Sequence, residues 1–404
     1  MRIWIVNHYA DPPDGMATRS IDLSRRFVEW GHPTTIFASN FNHYRFAPVV
    51  HLGTLRLWRA VEADGVRIVW IWGPRYRLND WRRILNMVSF TVLALFAGLS
   101  KGPRPDVVIG VSVHPLGALA GYFLARLKGA RFFFEVTDLW PQTLIDLGRL
   151  KPTSRTARWM RWLERFLSTK AEKVVMLLPN TTQYMGSIGV PVEKILWVPN
   201  GMELSRYEQL APYDGAAKPP FRIMFLGGFL TANAIDVILD SARVLKERGR
   251  SDIQFLLVGR GTDREAVIQQ ARELRLDNVQ FPSPVPKDEV ARLMSQADAF
   301  IFALHDLPLY RFGISLNKLT DYLAGGRPII FSGRSAYDPI AVTGAGYSLP
   351  PDDPVAVADA IEKLFSLTPG ERIEMGRKGR DYVVKYHNIP KLADRLLDAL
   401  NFAQ

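Results

Sequence analysis

The sequence predicts an α/β protein built from two Rossmann-like, doubly wound parallel-sheet domains. Three observations carry that prediction. The chain opens on a short apolar run at 3–6, a Pro- and Asp-bearing loop to Gly15, a helix to about Trp30 and a second apolar run at Thr34 to Ala38, a β-α-β beginning. Residues 313–331 give a helix, a Gly325-Gly326 stop and the buried strand that follows Pro328, the repeating unit of a parallel sheet. Between them, 404 residues with 48% hydrophobic content suit two domains near half the chain each.

Composition narrows the function. There is no cysteine, which excludes disulfides, thiolate catalysis and cysteine-ligated metals. The net charge of +11 is uneven: residues 1–205 hold 26 Lys plus Arg against 15 Asp plus Glu, whereas 206–404 hold 25 of each. No helix-turn-helix, RNA-recognition or zinc-finger pattern accompanies the basic half, so no nucleic-acid partner is expected. Met1-Arg-Ile-Trp-Ile-Val reads as a strand and not as a signal peptide, and a cytoplasmic protein is expected.

In chain order, the first loop lies where a parallel sheet presents its carboxyl edge to ligands. It lacks Gly-Xaa-Gly-Xaa-Xaa-Gly, which weighs against a nicotinamide dinucleotide. Gly15 reads as a turn residue or a point of close backbone approach, and Arg19 as a surface charge or an anion contact. Residues 84–100 are uncharged, preceded by Trp81-Arg82-Arg83 and followed by Lys101, at the lower edge of membrane-spanning length. They read as a helix packed on the sheet or dipping into one leaflet. Strands are predicted at 107–111 and 132–137 with a helix at 115–128 between them. His114 follows the first strand, facing a cleft or bonded structurally. Glu135 and Asp138, at the end of the second, are candidate carboxylates for acid–base work, or a strand-end Asp capping the next turn. Residues 156–170 place Trp159, Trp162, Leu163 and Phe166 beside a stripe of Arg158, Arg161 and Arg165, the composition of an interfacial helix. With the basic N-terminal half, this predicts contact with an anionic membrane surface.

A strand at 195–198 and the Asn200-Gly201 turn close the first domain, placed at 1–204, and 205–220 reads as a linker. The second, 221–385, has strands near 222–226, 254–258, 278–281, 299–303 and 328–332 and helices at 354–366 and 371–385; a last helix, 390–402, lies in the 386–404 tail. Glycine loops Gly227-Gly228 and Val258-Gly-Arg260-Gly261 follow two of the strands, and His305-Asp306 a third. In the 313–331 stretch Ser315 reads as an N-cap; Leu316, Leu319 and Leu323 form a core face, with Asn317, Lys318 and Asp321 opposite. A helix N-terminus with a Lys suits a phosphate, and a carboxylate one turn on suits a sugar diol. The plainer reading is an amphipathic helix with a charge pair on its wet face.

Ser315-Leu-Asn-Lys-Leu-Thr-Asp321 with its Gly-Gly-Arg-Pro turn, Val198-Pro-Asn-Gly201 and Asp138-Leu-Trp-Pro141 together resemble the retaining glycosyltransferases of family 4, which have the two-Rossmann-domain GT-B fold with the domains facing a central cleft. The form is similar to a subgroup that builds bacterial surface polysaccharides such as O-antigen, colanic acid and capsule. The resemblance implies that Asp321 holds the nucleotide ribose, and that Gly15, Gly228, Asn233, Arg260, Ser315, Asn317 and Lys318 surround the donor. Arg19, His114 and Asp138 would face the acceptor, with Asp138, Glu135 and Lys318 in the chemistry. Gly313 stands where the family has its first acid; Gly228 and Asn233 stand where it has an Arg and a Lys on the diphosphate, a loss for which Lys318 or Arg260 could compensate. Thr137 replaces a His. It further implies a UDP-sugar donor, an N-acetylhexosamine or related hexose moved with retention, no metal or other cofactor, and a last helix crossing back to the first domain. The acceptor would be a polyprenyl-diphosphate-linked glycan, at the cytoplasmic face of the inner membrane, with the protein peripheral or monotopic. Two rivals are a UDP-sugar 2-epimerase of the same fold, which would turn over without acceptor, and a non-catalytic membrane-bound partner.

Overall fold

A computed structural model describes residues 1–13, 15, 18–43, 46–53, 56–76, 80–100, 102–286 and 289–402. It divides into two compact units, one made of Met1–Pro199 with Ile389–Gln404, the other of Asn200–Asn388. The division thus falls before the expected 204, within the Val-Pro-Asn-Gly turn, and the residues read as a linker belong to the second unit.

The first unit contains β1 (Ile3–Val6), β2 (Thr34–Ser39), the small pair β3 (Phe41–Asn42) and β4 (Ala47–Pro48), β5 (Trp58–Ala63), β6 (Val66–Ile71), β7 (Val107–Val111), β8 (Arg131–Val136), β9 (Val174–Met176) and β10 (Ile195–Trp197). Its main sheet runs β10-β9-β8-β7-β1-β2-β6-β5. All pairings are parallel except β5 with β6, a hairpin over Asp64-Gly65. Most strands read as unbroken apolar runs because helices cover them: β1 and β7 are buried along their whole length. The helices are α1 (Arg19–Glu29), α2 (Trp81–Leu99), α3 (Pro115–Lys128), α4 (Gln142–Asp146), α5 (Arg155–Lys170) and α6 (Thr182–Ser187). Gly110 on β7 faces Gly121 of α3, where an added Cβ would sit 2.9 Å from the Ala118 carbonyl, so the small residues of α3 let helix and sheet touch closely.

The second unit holds β11 (Phe221–Leu226), β12 (Ile253–Val258), β13 (Val279–Gln280), β14 (Ala299–Ala303), β15 (Ile329–Ser332) and β16 (Gly346–Leu349). They form one parallel sheet in the order β13-β12-β11-β14-β15-β16. Around it lie α7 (Ile235–Glu247), α8 (Arg264–Glu273), α9 (Val290–Met294), α10 (Asn317–Gly325), α11 (Pro339–Thr343), α12 (Pro354–Ser366) and α13 (Pro369–Tyr386). The final helix, α14 (Ile389–Phe402), packs on α1 in the first unit, and Arg395 donates to the Trp197 carbonyl at 3.0 Å.

Chain order reverses between β1 and β7 in one sheet and between β11 and β14 in the other. At such points the flanking loops splay apart and leave a crevice at the strands' carboxyl ends. These two places are where ligand chemistry is expected.

Candidate active site

At the first switch point, the loop after β1 brings His8 and Tyr9, and the end of β7 brings His114. His114 is 2% exposed and caps α3: its Nδ1 accepts from the Gly117 amide at 3.3 Å. Its proton therefore sits on Nε2, which donates to His8 Nδ1. His8 stacks on Phe90 of α2, with centroids 4.3 Å apart, and on Tyr9, which stacks in turn on His43. Arg83 of α2 donates through Nε to the Tyr9 hydroxyl at 3.3 Å. Burial, seconded by Arg83, pushes the His114 imidazole down to about 3, and burial with His114 beside it holds His8 well below its ordinary value. Both rings are neutral members of a packed cluster, which corrects the expectation that His114 faces an acceptor.

Arg19 and Glu135 also meet. The guanidinium grips both carboxylate oxygens at 3.2 Å and donates to the carbonyls of Val198, at 2.9 Å, and Pro199. Glu135 is 4% exposed. A carboxylate with both oxygens held by a guanidinium is already occupied, and a guanidinium so occupied has little left for a substrate. Both expected roles are corrected: the pair fastens α1 and β8 to the turn that ends the unit. Gly15 is buried, and a Cβ there would strike the Asp11 side chain, so packing within the loop requires glycine. Asp138 is different. Its side chain is exposed just past β8, while crowding by surrounding protein removes part of its hydration and pushes its carboxyl up to about 6. Of the two candidate carboxylates of this unit, it is the one with no hydrogen-bond or ion-pair partner among the described residues, and it is shifted toward the range of a general base.

At the second switch point, the loop after β11 carries Gly227-Gly228 and Asn233, and the segment after β14 leads to α10. Backbone packing explains the glycines of the neighbouring loop: a Cβ on Gly259 or Gly261 would strike the carbonyls of Gly227 or Phe229. Arg260, between them, is exposed; its carbonyl accepts from the Phe229 amide at 2.8 Å, while its guanidinium makes no hydrogen bond or ion pair among the described residues. Lys318 sits in the first turn of α10. Its ammonium lies 5.3 and 5.4 Å from the ring centroids of Phe225 and Phe302 and donates to Asn233 Oδ1 at 2.6 Å. Burial pushes it down to about 7. One turn on, Asp321 Oδ1 accepts from the Tyr207 hydroxyl at 2.7 Å. Asn317 is exposed. Lys318 and Asp321 therefore share the side of α10 turned to the loops, while Leu319, Tyr322 and Leu323 are buried.

Two expectations change here. Ser315 is not the N-cap: that position is Leu316, without a side-chain cap, and Ser315 instead receives the Asn200 amide on Oγ at 3.3 Å and the Asn200 side chain on its carbonyl at 2.8 Å. Asn233 offers a ligand little, since its Nδ2 donates to the Gly228 carbonyl at 2.6 Å and its Oδ1 takes Lys318. Gly313 has φ of +93°, a conformation an acidic residue would adopt only with strain. The missing acid is thus matched by backbone geometry. His305, beyond β14, bonds Asp352 at 2.6 Å and lies 3.7 Å from Asp236 at the start of α7.

Two family models match the chain: "Glycosyl transferase 4-like domain" over residues 14–201 and "Glycosyl transferases group 1" over 220–367. The chain belongs to the GT-B glycosyltransferases. A curated relative, the "Putative colanic acid biosynthesis glycosyl transferase WcaI" of Escherichia coli (strain K12), is 23% identical over 292 residues, covering 68% of this chain and 69% of that protein. Among solved structures, sucrose-phosphate synthase from Thermosynechococcus elongatus has a TM-score of 0.76 at 16% identity, covering 99% of this chain and 98% of that one. The structure described as "Trehalose-6-phosphate from E. coli bound with UDP-2-fluoro glucose" has a TM-score of 0.74 at 11% identity, with 99% of each chain covered. At such identities, the structural likeness shows the fold: two parallel-sheet α/β domains. Sequence reasoning missed two residues that shape the candidate sites. Tyr207 lay in the stretch taken for the boundary, and His8 carries no local signal that separates it from any loop histidine.

Proposed function

We propose that this glycosyltransferase belongs to family 4 and moves a sugar, an N-acetylhexosamine or related hexose, from a UDP-sugar to a polyprenyl-diphosphate-linked acceptor with retention, in the synthesis of a bacterial surface polysaccharide. The observation that carries the reading is α10: a cation in its first turn and a carboxylate in its second, beside glycine loops at a sheet switch point. Lys318 and the amides at the start of α10 would take the diphosphate, whose charge grows as it leaves. Asp321, steadied by Tyr207, would take the ribose hydroxyls. No metal is needed for this role. Asp138 is the carboxylate that would orient the acceptor hydroxyl. With Glu135 bound by Arg19, the reading has attack come on the face the diphosphate leaves, with a phosphate oxygen taking the proton. The UDP-2-fluoro glucose held by one structural neighbour and the colanic acid named for one relative support donor class and pathway type.

The acceptor's lipid is argued from α2. Trp81, Ile84, Leu85, Val88, Val92, Phe96 and Leu99 are all exposed, while Phe90, Ala94 and Ala97 pack inward. Neighbouring α3 and α5 add exposed Phe123, Leu127, Trp159 and Trp162, with Arg82, Arg126, Arg155, Arg158 and Arg165 exposed on the same helices. An apolar, tryptophan-bearing surface set among arginines suits the headgroup region of an anionic leaflet. With one face of α2 packed on α3 and the sheet, the helix would lie in that leaflet, at the cytoplasmic face of the inner membrane, and not cross it.

The test is UDP release from UDP-N-acetylhexosamines in the presence of anionic phospholipid vesicles carrying a polyprenyl-diphosphate-linked sugar. The expected result is release that requires the acceptor, with labelled sugar in the lipid-extractable fraction. Turnover without acceptor would replace this reading by the epimerase.

A further inference from the structure

Lys318 occupies an electrostatically unfavourable place. It stands at the positive end of α10, where the helix dipole and unpaired amides disfavour a cation. Among the described residues, no carboxylate lies within ion-pair distance of it; its one polar partner is the neutral amide of Asn233. Its stem runs along the glycine turn, since a Cβ on Gly227 would contact Lys318 Cδ at 3.5 Å. Asp321, one turn on along α10, is engaged by the Tyr207 hydroxyl. Asn233 cannot be turned around in this network. A Lys only donates, so Oδ1 must face it, and that orientation sends Nδ2 to the Gly228 carbonyl. The amide thus ties the end of the ammonium to the glycine turn.

We propose that Asn233 is a positioning residue: its side chain braces Lys318 against the Gly227-Gly228 turn and, being uncharged, keeps that ammonium as an uncompensated counter-charge for the donor's diphosphate. The inference rests on the donor-site reading above. A neutral brace matters because an acid at this position would fill the same space and satisfy the cation permanently. Filling the site with an anion then requires Lys318 to be protonated, and the depressed ammonium, near neutrality in the empty protein, makes UDP binding draw a proton as pH rises above about 7.

The experiment is calorimetric titration of the full-length protein with UDP from pH 6.5 to 9, in the unmutated form and in the Asn233→Asp and Lys318→Met variants, each first checked by its melting temperature. A phosphate of this kind completes its ionisation near pH 6, so changes above 7 report the protein. The expected result for the unmutated protein is affinity that falls as pH rises through 7. Asn233→Asp is expected to bind about tenfold or more weakly at pH 7, with a flat profile to pH 9 because Lys318 now stays charged. Lys318→Met is expected to be weak and flat. Equal affinity and the same pH profile in Asn233→Asp and the unmutated protein would overturn the brace. No UDP binding by the unmutated protein at any pH would overturn the donor-site reading instead.

Discussion

At the first switch point Arg19 and Glu135 hold each other with two parallel hydrogen bonds, whereas at the second the polar partner of Lys318 among the described residues is one amide. Both places sit at the carboxyl edge of a parallel sheet, and both carry a buried or half-buried cation. The difference separates architecture from function. A charge answered inside its own unit stabilises that unit; a charge left unanswered lowers stability and is kept where a ligand answers it. On this reading the ion pair and the histidine cluster belong to the scaffold of the first unit, and of its candidate residues Asp138 is the one without such a partner among the described residues. The proposed function has an anion answer the cation of the second unit.

Exchanging the two effects is the strongest way to break the comparison. Glu135→Gln leaves Arg19 without its counter-charge and is expected to cost about 3 kcal/mol of stability while UDP affinity is unchanged. Lys318→Met is expected to do the reverse, with melting temperature kept or raised and UDP affinity lowered about 10- to 100-fold, the worth of charge-assisted hydrogen bonds. Paired thermal melts and UDP titrations of both variants check this. A Glu135→Gln protein that melts normally and loses UDP would reverse the assignment.

A smaller effect sharpens the scaffold half. His8 and His114 are neutral and buried, and their folded values lie below the unfolded 6.5. The unfolded chain therefore binds protons first as pH falls. Their contribution is complete above pH 6.5 and is lost on acidification, by up to about 1.4 kcal/mol per pH unit for each ring. Melting temperature is expected to drop between pH 6.5 and 5, and less steeply in His114→Asn, which retains a capping acceptor for α3. A flat profile over that interval would contradict the neutral cluster.

Much of this was legible beforehand. Strands buried on both faces announce themselves as apolar runs, so β1, β7, β11 and β14 could be read directly, and α3, α5 and α12 had clear ends. The hairpin β5–β6 was missed although Asp64-Gly65 between alternating runs is a strong local signal. The candidate site divided along a physical line. That Lys318 and Asp321 share one side of a helix was readable because it follows from their spacing alone. Arg19, Glu135, His114 and Asn233 were misread because what each one does depends on a partner far away in sequence. Arg19 meets Glu135 and Lys318 meets Asn233 only once the sheets are assembled. Ser315 had the right residue type for a cap, and Asn200 claimed it instead.

The most direct measurement is calorimetric titration of the purified protein with UDP beside its Asp321→Ala variant. The account predicts saturable binding by the unmutated protein and affinity at least about tenfold lower in the variant, since a charged acceptor of two ribose hydrogen bonds is removed. Failure of the unmutated protein to bind either UDP or GDP would contradict it and leave the fold without a nucleotide-sugar site.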